Sequence, residues 1–153
     1  MNFLVDTNIA TRLAEPGHAM HQAALDAVKL LVAQGHKLHI VPQTLYEFWV
    51  VCTRPTSVNG MGRTAAEAVA ELASLKALFQ WLDESAAVFG VWEQLVSSTP
   101  VVGKNAHDAR LVAAMMVHGL THLLTFNAQD FRQYTGITVV TPADVMTSGT
   151  ARP

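Results

Sequence analysis

The chain opens on a short apolar run, Asn2-Phe3-Leu4-Val5, that ends in Asp6-Thr7-Asn8. A run of this length bounded by polar residues predicts a buried strand with Asp6 at its C-terminal end. Residues 9–14 fit one or two helical turns, stopped by Glu15-Pro16-Gly17. Over residues 18–34, Met20, Ala24, Leu25, Val28, Leu31 and Val32 recur at helical spacing, and Gly35 ends the helix. Residues 38–41 form the second apolar run. Pro42 suits a first helical position, and residues 43–53 continue as a strongly apolar helix. The stretch 54–62, rich in Pro, Ser, Asn and Gly, is a loop. Thr64 with Glu67 three residues on makes a capping box for a helix to about residue 78. Beyond it the pattern predicts a short strand at 79–82, helices at 85–98 and 105–117, and strands at 121–126 and 137–141. Residues 1–146 form one domain in this reading, and 147–153 a polar tail. Apolar strands alternating with helices predict an α/β fold with a central parallel sheet covered on both faces. In such sheets the working site lies beyond the carboxyl ends of the strands.

Composition narrows the class. A chain of 153 residues matches one domain of ordinary size, and 50% hydrophobic residues exclude disorder. Charged residues make up 14%, against about 25% in an average soluble chain. A surface so short of charge has apolar area to cover, which favours an oligomer or a protein partner. The net charge of −2 and the lack of a basic run exclude coating of nucleic acid by bulk electrostatics. The one cysteine, Cys52, allows no internal disulfide. The longest uncharged stretch, 111–129, carries His118, Gly119, Thr121, His122 and Asn127 and is too polar for a membrane span. The first residues lack the pattern of a signal peptide, so a cytoplasmic location without membrane attachment is expected.

The acids are the informative charges. Asp6 is the only formally charged side chain in residues 1–11, Glu47 the only one between Lys37 and Arg54, and Asp130 the only one between Arg110 and Arg132. Asp108 sits at a helix start near Lys104 and Arg110. An isolated carboxylate in an apolar segment must be paired, protonated or bound to metal, because an unpaired buried charge is costly. Each one alone also fits a structural role: Asp6 can cap the following helix, and Asp108 favours its own helix N-terminus. Together, all four converge on one edge of the expected sheet. Two carboxylates about 4 Å apart repel by about 4 kcal/mol at an effective dielectric of 20, and a divalent cation reverses that sign. Mg²⁺ or Mn²⁺ prefers such oxygen ligands and activates water toward phosphodiesters.

The opening MNFLVDTN, the helix around Glu47, the Asn-Ala-His-Asp108-Ala segment and Leu123-Leu124-Thr125-Phe126-Asn127-Ala128-Gln129-Asp130-Phe131, in this order, resemble the PIN domain. The resemblance is greatest to the toxin ribonucleases of bacterial VapBC toxin–antitoxin pairs and spans residues 1–146. It implies a three-layer α/β/α sandwich around a parallel sheet of about five strands. It also implies a Mg²⁺- or Mn²⁺-dependent endoribonuclease that hydrolyses RNA to a 5′-phosphate and a 3′-hydroxyl. The family's first three acids match Asp6, Glu47 and Asp108. The fourth position is open between Asn127, where many members carry Asp, and Asp130. Thr7, Asn8 and Thr125 match the polar residues that support the carboxylates. In this reading Asp6 and Asp108 hold the metal, and Glu47 ligates it or orients the attacking water. Arg12, Arg54, Lys104 and Arg110 are candidates for gripping the RNA backbone, with Arg63 and Arg132 behind them. A homodimer and a VapB-type antitoxin partner are the assembly that the resemblance implies.

Two other readings stand beside it. A phosphohydrolase with Asp6 as covalent nucleophile would need an acid two residues on, where Asn8 stands. A non-catalytic PIN-like interaction module would account for Asn127. The pairs His18/His21 and His36/His39 lack the third ligand of a zinc site. His107 beside Asp108 reads first as a helix-start residue. No phosphate-binding glycine loop or nucleophile elbow is present.

Overall fold

The computed structural model describes residues 1–149. Its first strand, β1 (Asn2–Val5), is the middle of a five-stranded sheet. The chain then forms α1 (Thr7–Leu13), α2 (His21–Ala33), β2 (Lys37–Ile40), α3 (Pro42–Thr53), a 3₁₀ turn at Thr56–Val58, α4 (Ala65–Leu78) and β3 (Gln80–Trp81). After these come α5 (Ala87–Ser98), α6 (Asn105–His118), β4 (His122–Leu124), a 3₁₀ turn at Ala128–Phe131, β5 (Thr138–Val140) and α7 (Pro142–Gly149). The strand order is β3-β2-β1-β4-β5, and every pairing is parallel.

Side chains alternate across the strands, as the pleat requires. Phe3 and Val5 enter a core with Ile9, Ala27, Leu31, Phe48, Leu75 and Val145, so α1 to α4 and α7 cover one face. Leu4 and Leu123 enter the other, with Val88, Val112, Met115 and Phe131 from α5, α6 and the second 3₁₀ turn. The result is the expected three-layer α/β/α sandwich. Most expected elements recur within a few residues, and α1 starts earlier than expected, directly after Asp6.

The C-terminal part departs from expectation. Residues 147–149, read as the start of a polar tail, belong to α7, and residues 150–153 lie outside the described residues. Thr141 and Asp144 make a reciprocal cap: Thr141 N–H donates to Asp144 Oδ2 at 2.8 Å and Asp144 N–H to Thr141 Oγ1 at 3.2 Å. Pro142 begins the helix after it, and Val145 is buried. A Cβ built on Gly149 would lie 2.5 Å from Leu30 Cδ2, so α7 ends against α2 at a position where side-chain volume is restricted.

The topology locates a crevice. From β1 the chain proceeds to β2 on one side, while β4 lies on the other. This reversal is a switch point of the kind where open α/β sheets bind ligands, at the carboxyl ends of β1 and β4. Asp6 follows the first of these strands and Thr125 the second.

Candidate active site

Asp6 is the N-cap of α1, with extended backbone at φ −71° and ψ 154°. Its Oδ1 accepts from Thr7 N–H at 2.7 Å. Its Oδ2 accepts from Thr125 Oγ1 at 2.7 Å and from Asn8 Nδ2 at 3.1 Å. Asn8 also bridges the two strand ends: Nδ2 donates to Thr125 Oγ1 and Oδ1 accepts from Phe126 N–H. Asn127 N–H donates to Thr125 Oγ1 at 3.0 Å. Of the three residues expected to support Asp6, Asn8 and Thr125 bond its carboxylate by their side chains and Thr7 by its backbone N–H, and Asn8 ties the end of β1 to that of β4. Yet Asp6 is buried and has no cation in its hydrogen-bond shell. Burial pushes its carboxyl up to about 6, the Glu47 and Asp108 charges push the same way, and the Thr125 and Thr7 hydrogen bonds pull it down.

Glu47 projects from the second turn of α3 toward α1. Thr7 Oγ1 donates to its Oε2 at 2.7 Å, and Gln43 Nε2 donates to its Oε1 at 2.9 Å. Asp108 lies in the first turn of α6. Burial pushes its carboxyl up to about 6 as well, followed by repulsion from Asp130 and Glu47 and opposed by Lys104 and His107. Asp6, Thr7, Asn8, Thr11, Glu47, Asp108 and Asn127 line one cleft of about 380 Å³. Asp130 is in the 3₁₀ turn after β4; it acts on Asp108 through its charge and is not a wall of that cleft. Asn127 reaches the cleft and Asp130 does not, although Asp130 supplies the nearby charge.

The donor set suits a hard divalent cation: carboxylate, amide and hydroxyl oxygens, with no sulfur. Three residues donate to Asp6, so about one of its roughly four acceptor positions is left for another partner. Among the described residues no three His, Cys, Asp or Glu side chains stand close enough to cage a metal. A cage is not required, since Mg²⁺ usually keeps several waters and takes only one or two carboxylates.

The cationic residues are placed unequally. Arg12 and Arg54 line the acidic cleft. Arg12 is held by Glu15 at 2.8 Å. Arg54 donates from Nη2 to Asn59 O at 3.1 Å, and its buried Nε has no hydrogen-bond partner. Lys104 acts on Asp108 electrostatically. Arg110 is turned away from the cleft wall and donates to Gln43 and Glu84. Gln43 and Asn59 are site residues that the sequence reading missed. Gln43 stands one helical turn before Glu47, which is a legible spacing; Asn59 is in a loop with left-handed backbone, φ 62°.

The PIN domain family model matches residues 3–137. The chain belongs to the PIN domain family. PIN domains form a nuclease family. The fold of this PIN domain is also that of solved toxin–antitoxin structures. VapBC2 from Rickettsia felis bound to a promoter DNA fragment is 14% identical with a TM-score of 0.71, covering 92% of this chain and 98% of that one. A toxin–antitoxin complex from Klebsiella pneumoniae is 24% identical with a TM-score of 0.63, covering 91% and 96%. Mycobacterium tuberculosis VapC20, a toxin that cleaves the sarcin-ricin loop, is 24% identical with a TM-score of 0.58, covering 79% and 86%. No curated protein sequence matches this PIN domain. Among its described residues no helix is long and apolar enough to cross a membrane.

Proposed function

We propose that this PIN domain is a divalent-metal-dependent endoribonuclease, the toxin half of a type II toxin–antitoxin pair that acts in the cytoplasm. The observation that carries the reading is the meeting of Asp6, Glu47 and Asp108 on one cleft at the switch point of the sheet. The likeness to VapC20, a sarcin-ricin loop cleaving toxin, and to the VapBC complexes supports the class of substrate and partner. A VapB-type antitoxin is the proposed inhibitor. Exposed Tyr46, Val50 and Phe89 favour a homodimer. Residues 1–146, extended by the end of α7, act as the single functional unit.

In this mechanism Asp6 and Asp108 would hold Mg²⁺ or Mn²⁺. The bound ion would polarise a phosphoryl oxygen and lower the pKa of water. Thr7, Asn8 and Thr125 fix the Asp6 oxygens by hydrogen bonds. Glu47, held by Thr7 and Gln43, orients the attacking water and takes its proton. Attack in line with the leaving oxygen leaves a 5′-phosphate and a 3′-hydroxyl. Asn127 contributes a neutral oxygen at the cleft, and Asp130 adds charge behind Asp108. Arg12, Lys104 and above all Arg54 meet the RNA phosphates. The covalent Asp6 alternative is disfavoured, because the residue two positions on is Asn8 and it donates to Asp6.

The test is cleavage of a structured RNA with a single-stranded loop by the purified protein. Cleavage is expected in Mn²⁺, is lost in chelator and returns when Mn²⁺ is restored. Cleavage that persists in excess chelator, or no cleavage of any RNA with metal present, overturns the reading. Arg54→Met is expected to raise KM for RNA and to flatten the salt dependence of binding by about one unit of slope. A filter-binding series across salt concentrations measures it; an unchanged slope removes Arg54 from the RNA contact.

A further inference from the structure

Arg110 was a candidate for holding RNA, and its hydrogen bonds point elsewhere. Nη2 donates to both Glu84 oxygens at 3.0 Å, and Nη1 donates to Gln43 Oε1 at 3.0 Å. Gln43 is buried. Its Nε2 donates to Glu47 Oε1 at 2.9 Å and to the His107 carbonyl at 2.7 Å. These partners leave the amide one orientation. A guanidinium can only donate, so the Gln43 oxygen must face Arg110. A backbone carbonyl can only accept, so the Gln43 nitrogen must face His107. The second N–H is then aimed at Glu47.

We propose that Gln43 is a positioning residue for Glu47 and that Arg110 fixes the orientation of Gln43, so Arg110 serves the reaction through α3 rather than by gripping RNA. The relay joins the loop before α5, the first turns of α6 and the α3 carboxylate. His107, next to Asp108, contributes its carbonyl, so the same contacts set Glu47 relative to Asp108. Loss of a supporting partner of this kind costs about 10- to 100-fold in activity. The kinetic part of the test rests on the nuclease reading above; the spectroscopic part does not.

The variants are Gln43→Leu, Arg110→Met, Arg110→Lys and the Gln43→Leu/Arg110→Met double variant, assayed with Mn²⁺ on an RNA carrying a single-stranded loop. Each single variant is expected to lower kcat about 10- to 100-fold with KM and the salt slope of RNA binding unchanged. Because the two residues act in series, the double variant falls no further than the worse single one. Arg110→Lys keeps the charge but cannot hold Glu84 and Gln43 in one planar fork, so the kcat loss persists. An RNA-gripping Arg110 would instead show a raised KM, a flatter salt slope and rescue by lysine, and that result overturns the proposal. So does kcat within twofold of the parent in any folded single variant. NMR of the Gln43 side-chain amide decides the case independently of cleavage. Its resonances, assigned by their loss in Gln43→Leu, are expected to exchange slowly in the parent and rapidly in Arg110→Lys. Equal exchange in both overturns the relay, even if the parent protein cleaves no RNA.

Discussion

Asp6→Asn will abolish RNA cleavage and make the folded protein more stable at pH 8. Both effects follow from the same carboxylate. Its proposed role at the metal accounts for about 4 kcal/mol of transition-state stabilisation, roughly 10³ in rate. Its burial without a cation makes the charge costly in the fold. Asp6 rises from 3.8 to about 6, so the folded state binds its proton more readily than the unfolded one. Stability from this group is therefore greatest below pH 4, falls as pH rises through the window from 3.8 to 6, and is flat above it. About two units correspond to about 3 kcal/mol of charge burial at neutral pH. An asparagine removes that cost but sets an N–H against the donors Thr125 and Asn8, which returns roughly 1 kcal/mol or more. A net gain of about 1–2 kcal/mol at pH 8 is the expected balance. At pH 4 the gain disappears and the variant is the weaker of the two. Thermal or urea unfolding at both pH values reads the difference. A variant that loses stability equally at pH 4 and pH 8 would refute the buried-charge account. One that retains more than a tenth of the cleavage would remove Asp6 from the chemistry.

The placement of Asp6 could be read from letters because two local rules coincide there. An apolar run ends at residue 5, and the first polar residue after a buried parallel strand must stand at its carboxyl edge. Glu47 was legible from its isolation among Tyr46, Phe48 and Trp49. Asn127 and Asp130 could not be separated in this way. The choice between them depends on a 3₁₀ turn at Ala128–Phe131, where a difference of three residues decides which side chain meets the cleft. Gln43 carried a weak local sign, its spacing from Glu47, but its orientation depends on a carbonyl and a guanidinium 64 and 67 residues away. The partners of Arg110 were hidden for the same reason: charge is visible in a sequence, whereas Gln43 and Glu84, which engage it, are far away along the chain. The α7 helix was legible in principle from Thr141-Pro142-Ala143-Asp144, a capping box followed by few apolar residues. Its polar composition concealed a helix that is fixed by Val145 and by the contact of Gly149 with Leu30.

Mn²⁺ binding at pH 6 will release about one proton per protein, and at pH 8 almost none. Asp6 and Asp108 are both raised to about 6, so at pH 6 each is about half protonated in the metal-free protein. Since they repel one another, the two half-protons belong to the pair rather than to either residue. A carboxylate must be ionised to serve as a ligand, so binding expels what the pair holds. The apparent affinity for Mn²⁺ then rises between pH 5 and pH 7 and levels off above. Metal also counters the charge repulsion that destabilises the metal-free fold over the same range. At a metal concentration of 100 Kd the fold gains about 2.7 kcal/mol. Calorimetric titration in two buffers of different ionisation enthalpy counts the protons directly. Asp108→Asn should cut the release at pH 6 to about half and leave some affinity, because Asp6 still offers an acceptor position. The Asp108 charge also helps to raise Asp6, so in Asp108→Asn the Asp6 carboxyl moves part of the way back toward its ordinary range. Binding that is equally tight at pH 5.5 and pH 8, with no proton exchanged, would mean that the ion sits away from both aspartates.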